Sequence, residues 1–239
     1  MAARSKCPQS VRYLLDKKAD AHTLDDNGRS PLYYAMTQDD LPTEIFWAVD
    51  FAAFTVFEYL LGLSRRTADA SDISEPNLLH DAAAGASVKI FDLLLRSGVD
   101  VNLEWQGSSA LHVAAENGRV ENIRKLLVYK AKVDAPDYSK KTPLHSAAAA
   151  DQAEAVKALL EAGSQINAQD NDLRIPVYVA AYYGQTKSLE TLLQYKPDLS
   201  IVHSSGWTPL HVGVDNLEVT KLLVGDGASP NRTSGLLCT

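Results

Sequence analysis

Cysteine is scarce in this chain, and its scarcity excludes two kinds of site. The 239 residues include two cysteines, Cys7 and Cys238, which lie near opposite ends of the sequence. Such a pair gives neither the ligand spacing of a zinc site nor the dense framework of a disulfide-stapled domain. We therefore expect reduced thiols, no metal centre, and a cytoplasmic or nuclear protein.

Long hydrophobic runs are also missing. The most apolar window, residues 45–61, is interrupted by Asp50, Thr55 and Glu58, whereas a membrane-spanning helix needs about 20 predominantly apolar residues. The first residues, MAARSKCPQSVRYLLDKK, lack the apolar core and the small-residue cleavage site of a secretory signal. The sequence therefore predicts no association with a membrane.

An excess of basic charge, which a binder of nucleic-acid backbones normally carries, is absent as well. The chain has 23 basic and 30 acidic residues, and no basic run is interleaved with aromatic residues, so we expect no nucleic-acid partner. The sequence also lacks a phosphate-binding loop, a dinucleotide glycine pattern, a zinc-protease motif and a nucleophile elbow. No cofactor is predicted.

What the chain does have is a repeated pattern. Four anchor residues, His112, His145, Tyr178 and His211, are equally spaced along the sequence. A weaker copy before them has its anchor at His80, one residue closer to His112 than the regular spacing would place it, and an earlier copy contains Tyr33. Self-similarity at such a fixed period is typical of stacked-repeat architectures.

The repeated residues identify the family. Thr-Pro-Leu-His occurs at 142–145 and 208–211, with Ala-Ala pairs after it, Leu-Leu pairs further on, and endings such as Gly-Val-Asp-Val-Asn at 98–102. This pattern resembles the ankyrin repeat family over most of the chain. The resemblance implies a mainly α fold, an α-solenoid of stacked helix-turn-helix units with short β-hairpin fingers, stabilised by contacts between neighbouring repeats.

Local signals agree with that fold. Pro143 and Pro209 stand where a first helical turn begins, and the threonines just before them can cap it. In the family, the anchor histidine hydrogen-bonds across the hairpin base and ties repeats together. The resemblance therefore implies a structural role for His80, His112, His145 and His211.

We predict a single ankyrin repeat domain over residues 1–239. It starts with a partial repeat at 10–24 and continues with a repeat at 25–70 that carries a helical insertion at about 37–54. Five further repeats follow, at 72–102, 104–135, 137–168, 170–201 and 203–232.

Three departures from the repeat pattern each lead to a further prediction. In the insertion, Trp47, Phe51 and Phe54 form a second stripe, which either covers the incomplete first repeat or faces a partner or ligand. The last copy is expected to be shortened by three residues, because Leu222 follows His211 more closely than Leu126 follows His112. The hairpin at 173–176, which lacks the usual glycine and threonine, is expected to be irregular.

Aligning the repeats brings aromatic and charged residues to one side of the array. In the family, the end of the first helix and the hairpin tip both face a concave groove. Large aromatic side chains there are not needed by the scaffold, and exposed aromatic patches commonly mark binding sites. The predicted binding residues are Trp105, Gln106, Glu116, Asn117, Tyr138, Lys141, Arg174, Tyr182, Tyr183, Trp207 and Asp215.

Two functions follow from these features. The first, which the resemblance implies, is a non-enzymatic scaffold that binds a protein partner in the concave groove. The alternative is a small-molecule binding protein or an unusual enzyme, with a pocket lined by Trp47, Phe51 and Phe54 together with the concave face. In that pocket Asp81 or Glu116, with a raised pKa, would act as an acid or base. The sequence makes no prediction of the oligomeric state.

Overall fold

The computed structural model describes residues 76–85 and 88–229. The chain divides into two compact units, residues 1–100 and 101–239, so the single domain over 1–239 and its repeat bounds stay predictions. The partial repeat at 10–24, the repeat at 25–70 and its insertion, including Trp47, Phe51 and Phe54, lie outside the described residues.

The first unit contributes one helix pair to the described part. Helix α1 spans Pro76–Ala83 and helix α2 spans Val88–Ser97, and the two pack against each other. Leu79 and Ala83 of α1 and Phe91 and Leu94 of α2 are almost completely buried. This burial pattern is that of an antiparallel pair with one apolar side.

The second unit consists of one short hairpin and four helix pairs in its described part. The hairpin pairs β1 (Glu104–Trp105) with β2 (Ser108–Ser109) in antiparallel register, with Glu104 opposite Ser109. The inner helices are α3 (Ala110–Glu116), α5 (Pro143–Ala149), α7 (Pro176–Tyr183) and α9 (Pro209–Gly213). The outer helices are α4 (Val120–Val128), α6 (Ala153–Glu161), α8 (Thr186–Gln194) and α10 (Leu217–Gly225).

Each inner helix packs on the next inner helix, and each outer helix on the next outer helix. This arrangement gives two helical layers, as the α-solenoid prediction requires. Alanines fill the inner layer, with Ala114, Ala147 and Ala180 fully buried, while Leu126 and Leu159 are buried in the outer layer. Small inner side chains allow neighbouring inner helices to approach closely, and each repeat therefore buries the next.

Two of the anchor histidines, His112 and His145, join consecutive repeats, as the resemblance implied. The Nδ1 atom of His145 accepts hydrogen bonds from the backbone N–H and the hydroxyl of Thr142, at 3.0 and 2.9 Å. Its Nε2–H donates to the carbonyl of Arg174 in the next repeat, at 2.9 Å. His112 forms the same set with Ser109 and with the carbonyl of Lys141.

The finger at 170–174 is regular, so the expectation of an irregular hairpin was wrong. The backbone N–H of Asp170 donates to the carbonyl of Arg174 at 3.0 Å, as Asp137 does to Lys141 at 2.8 Å. One carboxylate oxygen of Asp170 also accepts from the backbone N–H of Arg174, at 2.9 Å. These bonds hold Leu173 at φ 62°, in the left-handed region where glycine is usual.

The last repeat is shortened by two residues and not by three. Leu223 accepts a hydrogen bond from the backbone N–H of Ala228, as Leu126 does from Ala131, so Leu223 is the equivalent of Leu126. Along the sequence, Leu223 is two residues closer to its anchor His211 than Leu126 is to His112. The shortening falls on α9, which has five residues where α5 has seven.

Candidate functional site

The candidate site is the finger face, which we define as the finger tips at 104–107, 137–140, 170–173 and 203–206 together with the ends of the inner helices. Glu116 is the last residue of α3, Ala149 is the last of α5, and Tyr182 and Tyr183 are the last two of α7. Asp215 differs, because α9 ends at Gly213 and Asp215 lies in the turn that follows. The alignment of Asp215 with Tyr182 is therefore corrected.

Tyr182 and Tyr183 point their rings away from the core. Their exposed fractions are 60% and 58%, and the rings meet edge to face with centroids 5.1 Å apart. The position equivalent to Tyr182 in the preceding repeat is Ala149, which the stack accommodates equally well. The scaffold therefore does not need aromatic rings at this place.

The other predicted aromatic residues are on finger tips or at finger bases, and they are exposed too. Tyr138 is 78% exposed, Trp207 49% and Trp105 38%. The ring of Tyr138 nevertheless lies beside the preceding finger, since a Cβ atom added to Gly107 would overlap it. Neighbouring fingers also share hydrogen bonds, because the backbone N–H of Asn171 donates to the carbonyl of Ser139 at 2.8 Å.

Arg174 is held by two carboxylates, which sequence reasoning missed. Its Nε donates to Asp170 at 2.8 Å and its Nη2 to Asp172 at 2.6 Å. Partial burial acts to lower the pKa of Arg174, but the hydrogen bond to Asp170 and the charges of both aspartates outweigh it and raise the pKa. The charge of Tyr183 acts in the same direction. The sequence offered a signal, since Asp170, Asp172 and Arg174 alternate along one finger.

Tyr178 replaces the anchor histidine and makes a different joint. Its ring stacks on His203 of the next finger, with centroids 5.2 Å apart and planes 13° apart. Burial raises the pKa of Tyr178, the charge of Arg174 opposes this, and Tyr182, Asp170 and Asp172 add to the increase.

The remaining predicted residues occupy less distinctive positions on the finger face. Gln106 lies in the finger turn at φ 52°, and the side-chain amide of Asn117 donates to the carbonyl of Val113 at 2.9 Å. Lys141 is half-buried, and Glu116 and Asp215 are exposed. Nothing tests whether any of these residues binds a partner, so all of them stay predictions.

The two candidate acids lie in different units of the chain. In α1, burial raises the pKa of Asp81, and the charge of His80 opposes the increase. Glu116 is exposed at the end of α3. Within residues 76–85 and 88–229 no cluster of side chains is suited to hold a metal ion. No helix among those residues is long and apolar enough to cross a bilayer.

Comparison with known proteins finds two kinds of match. A family model of ankyrin repeats in three copies matches residues 45–137, 79–170 and 169–234. A second model, of ankyrin repeats in many copies, matches residues 1–43. Together these matches extend over most of the sequence.

Curated relatives match over a short stretch. Cortactin-binding protein 2 from Dasypus novemcinctus and from Mus musculus are each 44% identical over 64 residues, which is 26% of this chain and 4% of theirs. The Rattus norvegicus protein is 43% identical over 70 residues, 28% of this chain and 4% of its own. The chain thus matches only a small part of these relatives. The repeat models cover most of the sequence and agree with the stacked helix pairs where the structure describes them: this chain belongs to the ankyrin repeat family.

Proposed function

We propose that this chain is a non-enzymatic protein–protein interaction scaffold that holds a partner on the finger face, which is the concave groove of the family. A protein-binding role is typical of ankyrin repeats, and the choice of this face is part of the proposal. The observation that carries it is the exposure of Tyr182 and Tyr183 at a position where the preceding repeat has alanine.

The physical argument rests on the rigidity of that surface. The histidine joints and the bonds between fingers fix the backbone on which the rings stand. A tyrosine buries a large area while fixing few rotatable bonds, and a preformed surface loses little further entropy on binding. The rings of Tyr182, Tyr183 and Trp207 would then act as anchors inside a polar rim.

Nothing in the described residues or in the comparisons supports the small-molecule pocket. The relatives that match part of the chain are named for binding cortactin, so cortactin is a reasonable protein to test. Because the matched stretch is 4% of their length, their name does not by itself assign this partner to the chain.

The test is affinity capture from a cell lysate with three immobilised proteins. They are the wild type, the Tyr182→Ala/Tyr183→Ala variant, and a Tyr129→Ala/Tyr195→Ala control. The control also removes two exposed tyrosines, which cap the ends of outer helices α4 and α8. Urea unfolding of all three verifies that the fold is intact.

A protein retained by the wild type and the control but lost by the finger-face variant supports the proposal. Retention of the same proteins by all three would show that the partner uses another surface. Purified cortactin is assayed in the same way.

A further inference from the structure

The charges next to Tyr182 and Tyr183 indicate which kind of partner fits there. Over the inner helices and fingers of the last two repeats, residues 170–183 and 203–216, the charged side chains are Asp170, Asp172, Arg174 and Asp215. Three carboxylates thus accompany one guanidinium. This part of the finger face is acidic, and it repels an anionic partner segment.

Arg174, the one guanidinium in these two ranges, already forms ion pairs within its own finger. Arg174 donates through Nε to Asp170, whose side chain is fully buried, and through Nη2 to Asp172, whose side chain is 52% exposed. An incoming anion would therefore meet a guanidinium that two carboxylates neutralise. An incoming cation would meet the exposed side of Asp172.

Asp172 has one carboxylate oxygen that is available to accept a hydrogen bond from a ligand. Its Oδ2 atom binds Arg174, whereas no hydrogen bond to its Oδ1 atom occurs among the residues that the structure describes. Asp170 does not compete for a ligand, because its oxygens accept from two backbone N–H groups and from Arg174. Asp172 is thus the exposed carboxylate of this finger.

The tyrosines supply a second attraction for a cation. The face of a phenol ring carries negative electrostatic potential, and guanidinium and ammonium groups stack on it. Tyr182 and Tyr183 leave more than half of their surface exposed, and they end the inner helix α7, which begins at Pro176 directly after this finger. Aromatic faces and an exposed carboxylate therefore both belong to the finger face of this repeat.

We propose that the finger face binds a cationic segment of its protein partner, in which arginine or lysine side chains lie against Tyr182 and Tyr183 and donate to Asp172. This inference rests on the proposed function and specifies the chemistry of the partner. The neighbouring finger, with Lys140 and Lys141, accepts an acidic or neutral residue of the same segment, so the bound segment is not basic throughout.

The probe is a random peptide library displayed on phage, selected on the immobilised chain. The variants are Tyr182→Ala/Tyr183→Ala, and Asp172→Asn, which removes one charge and keeps the shape. The control is Glu190→Gln, which removes one exposed carboxylate from outer helix α8. Selected peptides are synthesised, and their affinities are measured at low and high sodium chloride.

We expect the selected peptides to be enriched in arginine or lysine relative to the unselected library. Removing both rings should weaken their binding about tenfold or more, and Asp172→Asn should weaken it roughly fivefold. Glu190→Gln should leave affinity unchanged. High salt should weaken binding to the wild type, since screening reduces the attraction.

Two results would overturn this inference, and they are distinguishable. One result is that peptides lose affinity for the tyrosine variant but show no enrichment in basic residues, or bind Asp172→Asn as tightly as wild type. This result would rule out a cationic partner segment but would not contradict the scaffold function. Peptides indifferent to the tyrosines, or no selected peptide at all, would remove both.

Discussion

At the scale of single residues, His145 shows how one side chain joins two repeats. A carbonyl oxygen only accepts and a backbone N–H only donates, so the bonds to Arg174 and Thr142 require the neutral ring with its proton on Nε2. Burial lowers the pKa of His145, and the bond to the Arg174 carbonyl opposes this only in part. The neutral form is therefore favoured in the folded chain.

We predict that His145→Ala lowers the free energy of unfolding by about 2–4 kcal/mol, because Thr142 and the Arg174 carbonyl lose a partner and a cavity forms. Urea unfolding measures this loss. Ser146→Ala on the same helix, where the side chain is half-buried, should change the free energy by less than about 0.5 kcal/mol.

The same comparison at several pH values tests the charge state of His145. The pKa of His145 is 6.5 in the unfolded chain and lower in the folded chain. At pH values between these two pKa values the unfolded chain therefore binds more protons. The stability that His145 contributes is fully present above pH 6.5, and it is lost as the pH falls through the lowered pKa that His145 has in the folded chain. A difference between wild type and variant that grows on acidification would contradict a neutral His145.

At the scale of elements, the fingers tolerate sequence change because one side chain organises the turn. Asp137 and Asp170 accept two backbone N–H groups each, and His203 accepts one through Nδ1. The fourth finger position then has positive φ whether it is Lys140, Leu173 or Gly206, at 57°, 62° and 81°. The hydrogen bonds offset the strain of a non-glycine residue there.

We predict that Leu173→Gly stabilises the chain by up to about 1 kcal/mol, because relief of left-handed strain exceeds the greater entropy of unfolded glycine. Leu173 is exposed, so little packing is lost. Gly206→Ala at the equivalent position should destabilise the chain. Thermal unfolding of both variants measures the two shifts, and a destabilised Leu173→Gly would show that the leucine contributes packing.

The sequence predicted the elements better than their details. The equal spacing of the anchor residues was enough to predict the repeats, because each repeat must stack on an equivalent neighbour. The length of the last repeat was misjudged because Leu222 and Leu223 are adjacent and chemically identical, and only the structure, through burial and the hydrogen bond from Ala228, identifies Leu223 as the equivalent residue. The position of Tyr182 at the end of α7 was predictable, whereas the ion pairs of Arg174 depend on side-chain geometry.

At the scale of the second unit, stability depends on each repeat covering the one before it. Leu144 and His145 are almost completely buried, while the equivalent Leu210 and His211 are half-buried. Within the described residues α9 and α10 therefore have fewer stabilising contacts than α5 and α6, and in stacked arrays stability is approximately a sum of such nearest-neighbour terms.

We therefore predict that backbone amides of α9 and α10 exchange with deuterium faster than those of α5 and α6. Opening of α9 and α10 exposes fewer buried side chains among the described residues than opening of α5 and α6. Mass spectrometry of proteolytic fragments, corrected for intrinsic exchange rates, makes the comparison. Equal protection in both regions would indicate that the second unit opens as a single cooperative block.

The histidine bonds between repeats reach main-chain carbonyls of Lys141 and Arg174 and not their side chains. A carbonyl is the same for every residue type, so the joint places no demand on which amino acid occupies position 141. Evolution can therefore vary the finger surface one residue at a time while the stack continues to fold. Such a scaffold is suited to acquiring new partners by drift on its surface.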